Sequence, residues 1–233
     1  MLNESSKLAC RRARRCQAGL SLVELMVGVA VGLFVVAGAT VAVSNQLGDN
    51  RRLTLETQVQ QDLRAAADLI VKDIRRSGYW GQAETGVWHP AAVAVNSNPY
   101  TGLQGVSNGV AASGVQFGYS RGAENNTLDD ATDRSGFRLN NGAIQMYTGG
   151  AWQALTDTNT LRITNFQVTL RTQDIDLACF KDCAGAASCP PKQTVRDITV
   201  SIDGTAVHDA AVRRSARSNV RLRNDVIAGA CPV

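Results

Sequence analysis

Two histidines, His89 and His208, are all that the 233 residues contain. They lie far apart, and no serine or cysteine motif accompanies either. The chain therefore lacks the makings of a nucleophilic triad. Aromatics are scarce, at 5%, which limits the core to a modest one, while 21 glycines imply many turns. Excess charge is missing from most of the chain. Lys7, Arg11, Arg12, Arg14 and Arg15 stand against Glu4 alone, and this surplus equals the net +4 of the whole sequence. Everything after residue 19 is neutral, so the body lacks the basic footprint of a nucleic-acid binder. At 44% hydrophobic and 19% charged residues, the chain is neither disordered nor polytopic. Its length suits one ordinary domain plus an extra element.

Charge is also missing from residues 25–43. As a helix this run spans roughly 28 Å, close to the hydrocarbon thickness of a bilayer, about 30 Å. The excess of basic residues all precedes it, which keeps the N-terminus cytoplasmic and sends the rest across the membrane. A secretory signal places its small-residue cleavage site after a shorter apolar stretch. Here Ala18 and Gly19 come before the run, so a cut there removes the basic leader and retains the anchor. Glu24 sits where a carboxylate is expensive: roughly 2.5–3.5 kcal/mol deep in lipid on insertion scales. It reads either as an interfacial residue at the cytoplasmic boundary or as a charge awaiting a partner in an assembly. Gly28 and Gly32 form a G-x-x-x-G spacing that permits close helix approach, although glycine is common in membrane helices in any case.

The stretch "GLSLVEL", Gly19 to Leu25, resembles the class III prepilin signature. It has Gly before the cut, an apolar first residue, Ser second, Leu third and Glu four after the first. Leu20 departs from the usual Phe. The resemblance implies that a prepilin peptidase cleaves after Gly19 and N-methylates Leu20. It also implies that Glu24 pairs with the terminal amine of an adjacent subunit during filament assembly.

Beyond the anchor, Leu55, Val59, Leu63, Ala66, Ile70 and Ile74 form one stripe of a helix. Asp68 and Lys72 have the favourable i,i+4 order, and Ser77-Gly78 supplies the stop. Gly48-Asp49-Asn50 is a weak point where the helix is expected to bend or break. "LIVKDIRRSGYWG", Leu69 to Gly81, resembles the helix exit of PilW-type minor pilins through Asp73, Arg75, Gly78, Tyr79 and Gly81. These residues read as architecture, with Tyr79 and Trp80 packing over the helix end. Residues 79–114 show no period and read as a long loop. Strands are expected at 113–120, at 143–155 as a hairpin about Gly149-Gly150, and at 161–172 with a bulge at Thr164-Asn165. Two more are expected at 195–203 and at 217–226, the last with Val220 and Leu222 inward. The ending Arg221-Leu222-Arg223-Asn224 also resembles the minor pilins.

Cys10 and Cys16 fall in the leader. Cys179, Cys183, Cys189 and Cys231 are an even set in a translocated domain, which points to two disulfides. Three connectivities are open, with Cys189 or Cys179 favoured as the partner of Cys231. A four-thiolate zinc site is disfavoured by the C-x3-C-x5-C spacing, which lacks paired close knuckles. C-x3-C without a βαβ context is a poor redox pair. Asp129, Asp130 and Asp133 do not match an EF-hand register and read as a solvated loop. Arg213, Arg214, Arg217, Arg221 and Arg223 form a basic run suited to solvent or partner contact.

The expected fold is α+β: a long N-terminal helix, transmembrane in its first half, packed on an antiparallel β-sheet head. The expected divisions are a cleaved leader at 1–19, an assembly helix at 20–46, an amphipathic helix at 47–78 and the head at 79–233. The resemblance implies a non-enzymatic minor pilin without cofactor or metal that primes or joins type IV pilus assembly. Its implied partners are the prepilin peptidase, other minor pilins, the major pilin and the inner-membrane assembly platform, with no nucleic acid. The implied location is the inner membrane with the head periplasmic, then the pilus at the cell surface. The rivals are a minor pseudopilin of type II secretion and a membrane-tethered periplasmic enzyme or sensor.

Overall fold

The computed structural model describes residues 21–86, 96–122, 127–183, 185 and 188–232. The chain divides into two units, Met1–Asn50 and Arg51–Val233. The fold is α+β, with one long apolar N-terminal helix and antiparallel sheets. Helix α1 (Leu22–Ile74) contributes to both units.

In the first unit, every described residue is exposed. Phe34 is 80% and Leu22 74% accessible. The most apolar 18-residue window of α1 has a mean hydropathy of 2.4, long and apolar enough to cross a membrane. A helix apolar all round, whose described residues in this unit are all exposed, is suited to lipid or to other helices. The break expected at Gly48-Asp49-Asn50 does not occur, because helical structure runs through these residues. One Gly costs about 1 kcal/mol relative to Ala, and Gln46, Leu47, Arg51 and Arg52 around it are good helix formers.

In the second unit, the stripe on α1 packs as its spacing predicts. Val59, Leu63, Ala66, Ile70 and Ile74 are buried, joined by Ala67 and, unexpectedly, by Asp73. Each fully buried Leu or Ile contributes on the order of 1.5–3 kcal/mol. Asp68 and Lys72 form no ion pair; Glu56 instead binds Arg52 at 3.2 Å on the helix and also Arg214 from the head.

Two antiparallel sheets share one core with this helix face. The first contains β1 (Leu103–Gln104), β3 (Gly114–Gly118), β4 (Arg134–Asn140), β5 (Ala143–Thr148) and β6 (Ala151–Ala154), in the order β1-β3-β4-β5-β6. The second is built on β7 (Leu161–Asp176) and β8 (Lys192–Ala206). Two-residue β2 (Ala111–Ala112) borders β7, while β9 (Arg213–Arg221) and β10 (Val226–Ala228) line successive stretches of β8. Register slips between Ile163 and Asn165. Burial accordingly changes phase, from Leu161 and Ile163 to Phe166, Val168 and Leu170, as a bulge in a period-two strand requires.

The stretch read as a loop, 79–114, contains a 3-10 turn (Ala83–Gly86), β1 and β2 within its described part. Two-residue strands are too short to show a period. Strand β4 lies partly in the segment read as solvated loop, because small buried Ser135 and Gly136 stand where an apolar alternation would have marked it.

Candidate functional site

Asp73 is carried to the end of α1 on its buried face and is only 3% exposed. A buried carboxylate requires partners, and the first sheet supplies them. Ser135 of β4 donates to Oδ2 at 2.5 Å. Tyr119, just past β3, donates to Oδ1 at 3.2 Å. Arg76, one turn on, forms a short charged hydrogen bond to Oδ1 and a second at 3.0 Å to the Tyr119 hydroxyl. The hydrogen bond to Asp73 holds the Arg76 guanidinium above its ordinary range, against the opposing effect of burial. Burial, then the charge of Asp73, raises the Tyr119 phenol, and Arg121 and Arg76 partly offset this.

The backbone explains why these groups converge. Gly78 has φ +76°, a left-handed conformation that glycine tolerates, and it turns the chain back beside β3. Its N–H donates to the Gly118 carbonyl at 2.9 Å, and Ser120 N–H donates to the Tyr79 carbonyl at 2.9 Å. Helix exit and strand end are thus stitched together. Asn224 closes the other side, donating to the Ser77 carbonyl at 3.0 Å. Arg196 fixes Asn224 in turn: it is 4% exposed and donates to the carbonyls of Asn224 at 2.7 Å and Thr101 at 2.5 Å. Burial lowers the affinity of Arg196 for its proton, opposed by Asp225.

A cleft of about 650 Å³ opens here, lined by Arg75, Arg76, Tyr79, Tyr119, Arg121 and Arg223. Arg76 and Arg121 each lie 4.7 Å from the Tyr119 ring centroid, within cation–π range. Tyr79 does not pack over the helix end as its sequence context suggests. It is 53% exposed and borders the cleft, since its backbone is committed to Ser120. Trp80 is half-buried.

Of the residues singled out from sequence, Gly19 and Leu20 lie outside the described residues, as do Cys10, Cys16 and His89. Glu24 is exposed in the first turn of α1, where the helix dipole favours an acid. Ser21 and Glu24 stand at capping-box spacing. Cys179 is bonded to Cys231 and Cys183 to Cys189. The Cys179 and Cys189 sulfurs are 3.9 Å apart, so the two bridges adjoin. All four of these sulfurs are thus in disulfides.

Asp133 departs from the solvated-loop reading, being 1% exposed. It accepts from the N–H groups of Arg121 at 3.3 Å and Asp129 at 3.1 Å. Asp130 accepts from Arg134 Nε at 2.8 Å. The basic run near the C-terminus is divided: Arg214 pairs with Glu56, Arg221 with Asp225 at 3.1 Å, and Arg223 faces the cleft. His208 is exposed. Sequence reasoning missed Tyr119, Arg121 and Arg196, which no periodic or motif signal marks.

A family model described as Prepilin peptidase-dependent protein B matches residues 52–222, and one described as Prokaryotic N-terminal methylation motif matches residues 14–40. No curated protein and no solved structure gives a match.

Proposed function

The chain belongs to the prepilin peptidase-dependent protein B family, and from that premise we propose that it is a PilW-type minor pilin that primes or joins type IV pilus assembly. It is made with its basic leader in the cytoplasm, cut after Gly19 and methylated on Leu20. The observation that carries this reading is the methylation motif placed on a helix start whose apolar side chains are exposed among the described residues. Such a helix needs lipid before assembly and neighbouring helices afterwards. Glu24 then meets the amine of an adjacent subunit's first residue, and the pairing offsets the cost of a carboxylate in apolar surroundings. The head stays outside the membrane, where an oxidising compartment suits its two disulfides. The work is assembly rather than catalysis, in contact with the major pilin, other minor pilins and the inner-membrane platform.

Intact-mass analysis of the exported protein tests the processing step. A chain starting at methylated Leu20 supports the reading; one starting at Met1 overturns it and favours a tethered enzyme or sensor. Deletion of the gene tests the assembly role. Loss of surface pili, reproduced by Glu24→Ala, supports it. Intact pili with lost exoprotein secretion would instead identify a type II secretion pseudopilin.

A further inference from the structure

The cleft at the helix exit has more positive charge than the described residues neutralise. Arg76 is committed to Asp73. The guanidinium groups of Arg75, Arg121 and Arg223 have no carboxylate within 4.0 Å among the described residues. The Arg121 guanidinium donates to the neutral Thr148 hydroxyl at 3.4 Å. Three arginines therefore line one concavity of about 650 Å³ with no ion-paired carboxylate among the described residues. Like charges are not gathered in this way without cost, and guanidinium forks match carboxylate oxygens in pairs. Exposed Tyr79 adds the amphipathic ring that protein interfaces favour.

We propose that this cleft receives an acidic segment, two or more Asp or Glu side chains, from a neighbouring subunit of the assembly. The inference rests on the assembly reading for the source of the acid. The arrangement argues against a polynucleotide, because the body is neutral after residue 19 and the unpaired arginines gather in one pocket rather than along a track. The framework is held in place beforehand: Asp73 orients Arg76, Tyr119 stacks with Arg121, and Arg196 fixes Asn224. This limits the freedom lost on docking to the exposed side chains of Arg75 and Arg223.

The full processed chain, in detergent micelles, is titrated against fluorescent hexaglutamate, with hexaglutamine and a twelve-residue oligothymidylate as parallel probes. Hexaglutamate is expected to bind in a salt-sensitive manner, and Arg75→Ala/Arg223→Ala to weaken it at least about ten-fold. Arg171→Ala, an exposed arginine outside the cleft, is expected to leave it unchanged. Equal binding of hexaglutamine, tighter binding of the oligonucleotide, or an unaffected double variant would each overturn the proposal. Thermal unfolding confirms that the variants are folded. In cells, Arg75→Glu/Arg223→Glu is expected to reduce piliation and to be suppressed by Asp or Glu to Lys changes in another pilin subunit. Normal piliation by that variant, where gene deletion abolishes pili, sinks the docking inference alone. A deletion that leaves pili intact sinks the assembly reading, and the peptide titration still decides whether the cleft binds acid.

Discussion

The Ser135 hydroxyl donates a 2.5 Å hydrogen bond to the Asp73 carboxylate, across 62 residues of sequence. This contact joins the end of α1 to the middle of the first sheet inside the core. Because Tyr119 and Arg76 converge on the other oxygen, the carboxylate is the shared acceptor for three elements.

Asp73→Asn keeps the shape but removes the charge that three donors require. It is expected to destabilise the full chain by roughly 3 kcal/mol, and Ser135→Ala by roughly 2 kcal/mol. Arg76 adds little to these figures, since its side chain is 57% exposed and rehydrates when released. Urea unfolding in detergent checks both, as a fall in midpoint at unchanged slope. An Asp73→Asn midpoint equal to wild type would show that the network orders the helix exit without stabilising it.

The phenols of Tyr119 and Tyr100 are both raised above their ordinary 10.0, each chiefly by burial and then by a carboxylate, Asp73 and Asp133 respectively. Folded phenols keep their protons at a pH where the unfolded chain has begun to lose them. The unfolded state therefore binds fewer protons, and stability falls as pH rises through and above 10. The contribution is fully present below 10. In urea titrations from pH 8 to pH 11, Tyr100→Phe/Tyr119→Phe is expected to flatten this alkaline decline, whatever its baseline stability. An unchanged slope would place the decline elsewhere.

Much of the head was legible because its strands obey simple periods. The phase slip at Thr164-Asn165 marked the bulge of β7, and Gly149-Gly150 marked the β5–β6 turn, with φ values of +59° and +79°. Strand β4 was missed although Asn141-Gly142, at φ +50° and +78°, is a strong hairpin dipeptide and announces it. The candidate cleft was scarcely legible. Arg75 and Tyr79 stand in a recognisable helix exit, but Arg121 and Arg223 come from distant segments. Arg196 interrupts an otherwise apolar alternation in β8 at a position where only tertiary contacts, the carbonyls of Thr101 and Asn224, explain a cation.

The two disulfides should differ in their effect on stability. Cys179–Cys231 closes a separation of 52 residues and Cys183–Cys189 one of 6. Chain-entropy arguments give roughly 4 kcal/mol for the long loop and about 2 kcal/mol for the short one. Cys179→Ser/Cys231→Ser is therefore expected to lower the unfolding midpoint clearly more than Cys183→Ser/Cys189→Ser. Equal losses, or the reverse order, would show that the bridges act on the folded state rather than on loop closure.

Gly204 of β8 packs beneath Leu63 of α1. A Cβ there would lie 2.8 Å from Leu161 Cδ1 and 3.3 Å from Leu63 Cδ2. Both leucines are almost wholly buried, at 1% and 0% exposure, so neither has free space to retreat into. Gly204→Ala is expected to cost roughly 1–3 kcal/mol through overpacking, and Leu63→Ala about 3 kcal/mol through the cavity it leaves. The two changes compete for the same volume: the methyl added at Gly204 partly fills the space vacated by Leu63. The double variant should therefore lose less than the separate losses combined, with a coupling of about 1 kcal/mol. Denaturant unfolding of the four chains measures that coupling directly. Strict additivity would mean that the helix rides clear of Gly204 and that the small residue in β8 serves some other purpose.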